Sequence, residues 1–113
     1  MDPACIEFAL TNPERAAFEC DGFLVLENVM PTAQVALLTD AVDRLAAAQR
    51  RDGLGAGERV DVRDLLWRDP LFLNLVDWPT TFPKVWGILG WNIQIYHTLY
   101  MEAPPEVPAS SPV

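Results

Sequence analysis

The most regular stretch of the sequence is an alanine-rich segment over residues 33–50, and the fold must accommodate it as a helix. Its larger apolar residues recur at intervals of three or four and form one stripe: Val35, Leu38, Val42 and Leu45. Thr32 precedes the segment as the predicted N-cap. Arg50 and Arg51 follow at its last turn, where cations complement the helix dipole. The segment therefore predicts one amphipathic helix that packs by one face.

The other predicted elements are short. Asn12 is the predicted N-cap of the first helix, Pro13 suits its first position, and Gly22 ends it. Short apolar or β-branched runs indicate strands, whereas the longer periodic ones indicate helices. The predicted helices cover residues 12–20, 70–78 and 80–89, and the predicted extended segments cover residues 23–26, 60–66 and 92–101. This mixture predicts an α+β fold.

Length and composition indicate one domain with a different C-terminal tail. The chain has 113 residues, which fits a single domain over residues 1–102. From Ala103 onward the sequence changes to small polar residues and prolines: Pro104, Pro105, Pro108 and Pro112. Such a composition predicts a disordered or polyproline-like tail over residues 103–113.

The charge balance excludes some classes of partner. Eight basic residues face sixteen acidic ones, which gives a net charge of −8 and repels phosphate backbones and anionic membrane surfaces. No apolar run approaches the roughly 18–20 residues that span a bilayer. Residues 1–5 carry no basic, apolar leader, and Cys5 and Cys20 form no C-x-x-C pair. We therefore expect a cytoplasmic protein with free thiols and neither nucleic-acid nor membrane partners.

Residues that could carry chemistry are few. His97 is the one histidine, and no nucleophile or acid stands at a spacing that marks a catalytic triad. On residue type alone, a lone histidine in a strand is more often a structural, hydrogen-bonded residue. Glycines at 53, 55 and 57 follow a G-x-G-x-G pattern without the Lys-Ser or Lys-Thr of a phosphate loop. They predict a flexible loop, and no carboxylate pair stands out as acid and base.

Three segments in order resemble the phytanoyl-CoA dioxygenase family of iron(II)- and 2-oxoglutarate-dependent oxygenases. The first is FECDGFLVLENV at residues 18–29, which is similar to the family's opening Asp-Gly-aromatic motif. The second begins with VRDLL at residue 62 and continues through residue 77. The third is LGWNIQIYHTL at residues 89–99, followed by Pro104 and Pro105, and it looks like the strand that leads into the family's active site. The resemblance covers residues 12–105, which is most of the chain.

The resemblance implies N-terminal helices and a few strands of an incomplete double-stranded β-helix, or jelly roll. Enzymes of this type hold Fe(II) with two histidines and one carboxylate, and they bind 2-oxoglutarate beside it. Family members carry His-x-Asp soon after the proline pair and a second histidine far downstream. This chain has one histidine and no His-x-Asp, so it has no metal ligands or catalytic residues of that kind and binds neither Fe(II) nor 2-oxoglutarate by the family's scheme alone.

The resemblance also implies peripheral positions of the 2-oxoglutarate pocket: Gln94, His97 and Leu99. In a regular strand, alternate residues point to opposite faces. Gln94 would then share one face with Asn92 and Tyr96, and His97 would share the other with Leu99. We predict that the face with His97 and Leu99 is the pocket face.

Three functions remain open at this stage. The chain is a truncated oxygenase-like protein, a non-catalytic interaction module, or one half of a split oxygenase whose other chain supplies the iron ligands. In all three, most strands of a complete barrel are missing. The predicted strand at residues 92–101 would then pair with residues 23–26 or expose an apolar edge, and an exposed edge favours self-association or binding of a complementary chain.

Overall fold

The computed structural model describes residues 3–104, with side chains from residue 6 onward. It is an α+β structure with four α-helices, one two-stranded sheet and two 3-10 helices. The α-helices are α1 (Asn12–Asp21), α2 (Thr32–Arg51), α3 (Pro70–Leu73) and α4 (Phe82–Leu89); the strands are β1 (Val60–Arg63) and β2 (Leu99–Glu102); and the 3-10 helices are Pro3–Phe8 and Leu65–Trp67. The tail predicted at residues 103–113 lies outside the described residues from residue 105 onward.

The chain divides into two compact units. Among the described residues, the first takes in residues 3–35 and 74–95, and the second takes in residues 36–73 and 96–104. The first unit therefore contains α1 and α4, whereas the second contains the sheet, α3 and most of α2. No helix within residues 3–104 has the length and apolar character needed to cross a membrane.

Helix α1 is closed at both ends by its own sequence. Thr11, not Asn12 as predicted, is the N-cap, and its hydroxyl accepts a hydrogen bond from the Glu14 N–H at 3.2 Å. The Glu14 carboxylate in turn accepts from the Thr11 N–H at 3.0 Å, which completes a capping box. At the other end Gly22 has a left-handed φ of 79°, and its N–H donates to the Phe18 carbonyl at 2.8 Å. The predicted stop at Gly22 is confirmed.

The prediction of a strand at residues 23–26 is wrong. Phe23–Glu27 contain no turn or bend, but no described strand pairs with them. The local pattern favoured an extended chain, whereas a β-strand also requires a neighbour that exchanges backbone hydrogen bonds. The segment therefore has no regular secondary structure and is not part of the described sheet.

Helix α4 packs against the N-terminal 3-10 helix within the first unit. It begins at Phe82 and ends at Leu89. The next residue, Gly90, has a positive φ of 82°, and the predicted helix stop at this glycine is confirmed. Pro83 is buried in its first turn. The Trp86 ring contacts Trp91 edge-to-face, with ring centroids 4.9 Å apart. α4 thus carries the aromatic contacts of this unit.

In the second unit, α2 confirms the predicted long helix but differs in detail. It includes Thr32, which was predicted to be its cap, and its buried positions are Ala41 and Ala46. Leu45 is half-buried, whereas Val35 at the start of the predicted stripe is 48% exposed. Of the two, Ala46 packs with the buried Val60 and Val62 of the sheet.

The sheet is antiparallel, with Val60 opposite Glu102 and Arg63 opposite Leu99. Val60 and Val62 are buried with Ala46, and Leu45, Leu54, Leu65 and Tyr100 pack around them. After Arg63, Asp64 adopts a left-handed conformation and a 3-10 helix follows, so the predicted extended segment over residues 60–66 ends early. The predicted helix over residues 70–78 likewise ends at Leu73, and turns follow it.

The predicted strand over residues 92–101 is mostly wrong. Residues 92–98 have no regular secondary structure, and β2 begins only at Leu99. β2 pairs with β1 rather than with residues 23–26. Since β1 has four residues, it provides hydrogen-bonding partners for only a short strand.

Candidate functional site

The three predicted pocket positions are not brought together as one strand face. Gln94 is exposed and belongs to the first unit, whereas His97 is exposed and belongs to the second. Leu99 is half-buried as the first residue of β2, opposite Arg63. His97 precedes β2, so the predicted alternation that placed His97 and Leu99 on one face of a regular strand is wrong.

The described residues do not assemble a metal centre. Over residues 3–104, no group of three or more histidine, cysteine, aspartate or glutamate side chains could hold an ion. Within the same range, Cys20 is exposed with a free thiol. A two-histidine, one-carboxylate iron site does not fit this set of donor atoms.

The first unit contains a cleft of about 460 Å³. A salt bridge lies in its wall, where the Lys84 ammonium approaches the Glu14 carboxylate at 2.7 Å. The side chains of Lys84 and Glu14 are 13% and 24% exposed. Lys84 also donates to the Ala9 carbonyl at 3.1 Å. The lining residues are Phe8, Glu14, Val25, Leu26, Glu27, Asn28, Val29, Thr80 and Lys84.

The Lys84–Glu14 pair changes the titration of the carboxylate. The hydrogen bond from Lys84 lowers the pKa of Glu14, and the Thr11 N–H lowers it further, against a smaller opposing effect of burial. The same carboxylate thus closes the capping box of α1 and binds the lysine of α4. It remains ionised in this position, so it is suited to hold structure and not to deliver a proton.

The loop at Asn28 and Val29 also lines the cleft, and two hydrogen bonds to one carbonyl fix its position. The Val29 oxygen accepts two hydrogen bonds, from Trp78 Nε1 at 2.8 Å and from the Thr80 hydroxyl at 2.6 Å. Asn28, one residue earlier, has a left-handed φ of 54°, which asparagine tolerates better than most residues. This wall is therefore built before any ligand is present.

A second cleft, of about 400 Å³, lies beside β1 in the second unit. There the Gln49 amide binds both backbone groups of Asp61: its Nε2 donates to the Asp61 carbonyl at 2.6 Å, and its Oε1 accepts from the Asp61 N–H at 3.3 Å. Gln49 of α2 thereby provides hydrogen-bond partners for the Asp61 N–H and carbonyl of β1, which could otherwise bind a further strand. Asp61 Oδ1 is buried without a hydrogen-bond partner among the described residues.

On β2, the Tyr100 hydroxyl donates to Glu102 at 2.7 Å. That hydrogen bond, reinforced by burial, raises the pKa of Tyr100 to about 12. Tyr100 is therefore a neutral structural residue over the physiological range.

The cleft of about 460 Å³ does not contain the residues that the sequence singled out. Lys84 is the one lysine of the chain, but its partner Glu14 lies 70 positions away, and no local pattern connects them. A signal for the other half of the arrangement was present, because Thr11 and Glu14 have the spacing of a capping box. Comparison of the chain with protein-family models, with curated proteins and with solved structures found no match.

Proposed function

We propose that this chain is the N-terminal part of a phytanoyl-CoA dioxygenase-like domain and supplies scaffold and pocket wall rather than the iron ligands. The three ordered sequence segments are the reason for naming this family. In the complete enzyme the reaction is hydroxylation of an unactivated C–H bond, coupled to decarboxylation of 2-oxoglutarate. The exposed Cys20 thiol suits a reducing compartment, and we propose a cytoplasmic location.

The observation that carries the proposal is the small sheet. Within residues 3–104 it contains only β1 and β2, so a jelly roll would need further strands from outside the described residues. Apolar side chains of the second unit are exposed as well: Trp67 is 89% exposed, Tyr96 96% and Met101 48%. Such surface is expected on a part of a domain whose remaining strands would cover it.

The metal-ligating side chains of this chain support a non-catalytic role for it within such a domain. The facial triad needs two histidines, whereas the chain has only His97, which is exposed. No catalytic step is therefore assigned to this chain. A complementary chain with the missing ligands would make it one half of a split enzyme.

Turnover by the purified chain tests the proposal. With Fe(II), 2-oxoglutarate and oxygen, we expect no succinate above the level of a protein-free control, and no iron-to-2-oxoglutarate charge-transfer absorption under anaerobic conditions. His97→Ala is the matched variant and should behave identically. Catalytic succinate formation that His97→Ala abolishes would show that the chain builds its own iron site, and the proposal would be wrong.

A further inference from the structure

We call residues Phe23–Glu27 the open segment. It lies between two bends, at Gly22 and at Asn28. None of its five residues lies in a turn or bend, whereas Gly22 and Asn28 both do. Those two flanking residues have positive φ angles of 79° and 54°. The chain therefore turns at both ends of the segment and has no turn or bend between them.

Both ends of the open segment are fastened to the first unit. Before it, the Gly22 N–H binds the Phe18 carbonyl at 2.8 Å. After it, the Val29 carbonyl is bound by Trp78 and Thr80. A segment held in one conformation loses less entropy on binding than a free loop does.

The open segment has the side-chain pattern of a strand but not its hydrogen bonds. Phe23 and Val25 are 61% and 70% exposed, whereas Leu24 and Leu26 are half-buried. This alternation is that of a strand with one face packed. Yet no backbone N–H or carbonyl of residues 23–27 hydrogen-bonds to another described residue. Backbone groups without described partners, in a segment with this alternation, offer a template for strand addition.

The charges around the open segment indicate what kind of strand fits. Exposed Asp21 precedes it, and exposed Glu27 ends it and lines the cleft of about 460 Å³. The cleft's cation, Lys84, is already bound to Glu14, whereas Glu27 makes no salt bridge within residues 3–104. A ligand that lies along the segment thus meets apolar side chains flanked by uncompensated negative charge.

We propose that the open segment accepts a β-strand from a partner polypeptide, with alternating apolar side chains and a lysine or arginine that faces Glu27. A second copy of this chain is a poor occupant. Antiparallel pairing of two such segments brings Asp21 of each copy close to Glu27 of the other, and like charges on neighbouring positions of a strand pair are unfavourable. Each copy also carries a net charge of −8. The inference does not depend on the proposed oxygenase relationship.

Amide hydrogen exchange with two synthetic peptides tests the proposal. The basic peptide is Lys-Thr-Val-Thr-Val-Thr-Lys. The acidic control peptide has glutamate in place of both terminal lysines. In the free chain, the amides of residues 23–27 should exchange rapidly. The basic peptide, at about ten times its Kd, should slow exchange about tenfold at alternate amides of the segment. Alternation is the signature of a ladder, because neighbouring N–H groups of a strand point to opposite sides.

Charge reversal supplies the matched controls. Glu27→Lys should reverse the preference between the two peptides. The acidic peptide should then slow amide exchange in the segment, and the basic peptide should not. Glu19→Lys makes the same charge change at an exposed residue of α1 outside the segment, and it should leave the preference for the basic peptide unchanged.

Four results would overturn the proposal. They are no protection by the basic peptide at millimolar concentration, equal effects of both peptides, uniform protection of all five amides, and loss of the preference in Glu19→Lys as in Glu27→Lys. Protection of residues 23–27 that grows with protein concentration, without peptide, would identify a second copy as the occupant and would also contradict it.

Discussion

The packing of α4 in the first unit can be tested by adding a single methyl group at Gly87. A Cβ at this position would lie 2.7 Å from Leu10 Cβ and 3.2 Å from Leu10 Cδ2. Carbon atoms pack at about 3.5–4.0 Å, so about 1 Å of separation would have to be gained. Rotation of the Leu10 side chain cannot provide it, because the closest atom is its Cβ. Any movement also strains the hydrogen bond from Arg15 to the Gly87 carbonyl, now 2.8 Å long.

Two opposing effects determine the sign of the change. Alanine is favoured over glycine in a helix interior by about 1 kcal/mol. Overpacking costs about 1–3 kcal/mol. Because the clash involves main-chain-bound atoms, we expect overpacking to prevail, and Gly87→Ala should lower the free energy of unfolding by about 1 kcal/mol.

Urea denaturation followed by tryptophan fluorescence measures this difference, with the m-value as a check that the unfolding transition is the same. Gly57→Ala is the matched control, because Gly57 has no positive φ and open space around its Cβ position. It should raise the stability by about 0.4–1 kcal/mol. If Gly87→Ala stabilises the chain as Gly57→Ala does, the contact between Leu10 and α4 is wrong.

Three further predictions concern named hydrogen bonds. Thr11→Ala removes the capping box of α1 and should destabilise the chain by about 1 kcal/mol in the same denaturation assay; unchanged stability would contradict the cap. The pKa of Glu14 is lowered by Lys84, so its contribution should be present above the ordinary pKa of 4.5 and be lost as the pH falls through the lower folded-state value. Glu14→Gln should remove that part of the pH dependence, and an identical acid profile would argue against the pair. The pKa of Tyr100 is raised to about 12, so the stability that its bond to Glu102 contributes should be lost between about pH 10 and 12, and Tyr100→Phe should lack that loss.

Elements with a strong local signal were predictable from the sequence. The periodic stripe of residues 33–50 predicted α2, and glycine predicted the ends of α1 and α4 at Gly22 and Gly90. Local chemistry decides these features, because a helix satisfies its own backbone and a glycine accepts the conformation that ends it. The mixed α+β class followed from the same signals.

Strands were harder to predict from the sequence because each strand depends on a partner elsewhere in the chain. Residues 23–26 have the alternating exposure of a strand, yet no described strand pairs with them. Residues 92–98 have the composition of a strand, but β1 provides only four residues of pairing, and β2 begins at Leu99.

The candidate cleft was not predictable for a related reason. Its ion pair joins Lys84 to Glu14 across 70 positions, and only the folded first unit brings them together. The pocket positions Gln94, His97 and Leu99 came from a resemblance. They remain a prediction, because their roles depend on strands that the described residues do not include.

We propose that this chain is one part of an oxygenase domain whose iron ligands are encoded elsewhere. The nucleotide sequence downstream of the codon for residue 113 tests it most directly. The claim predicts a His-x-Asp motif and a distant second histidine with a nearby arginine, in the same frame, in a shifted frame or in a neighbouring gene. Downstream and neighbouring sequence that encodes no such set in any frame would contradict it and would favour a non-catalytic interaction module.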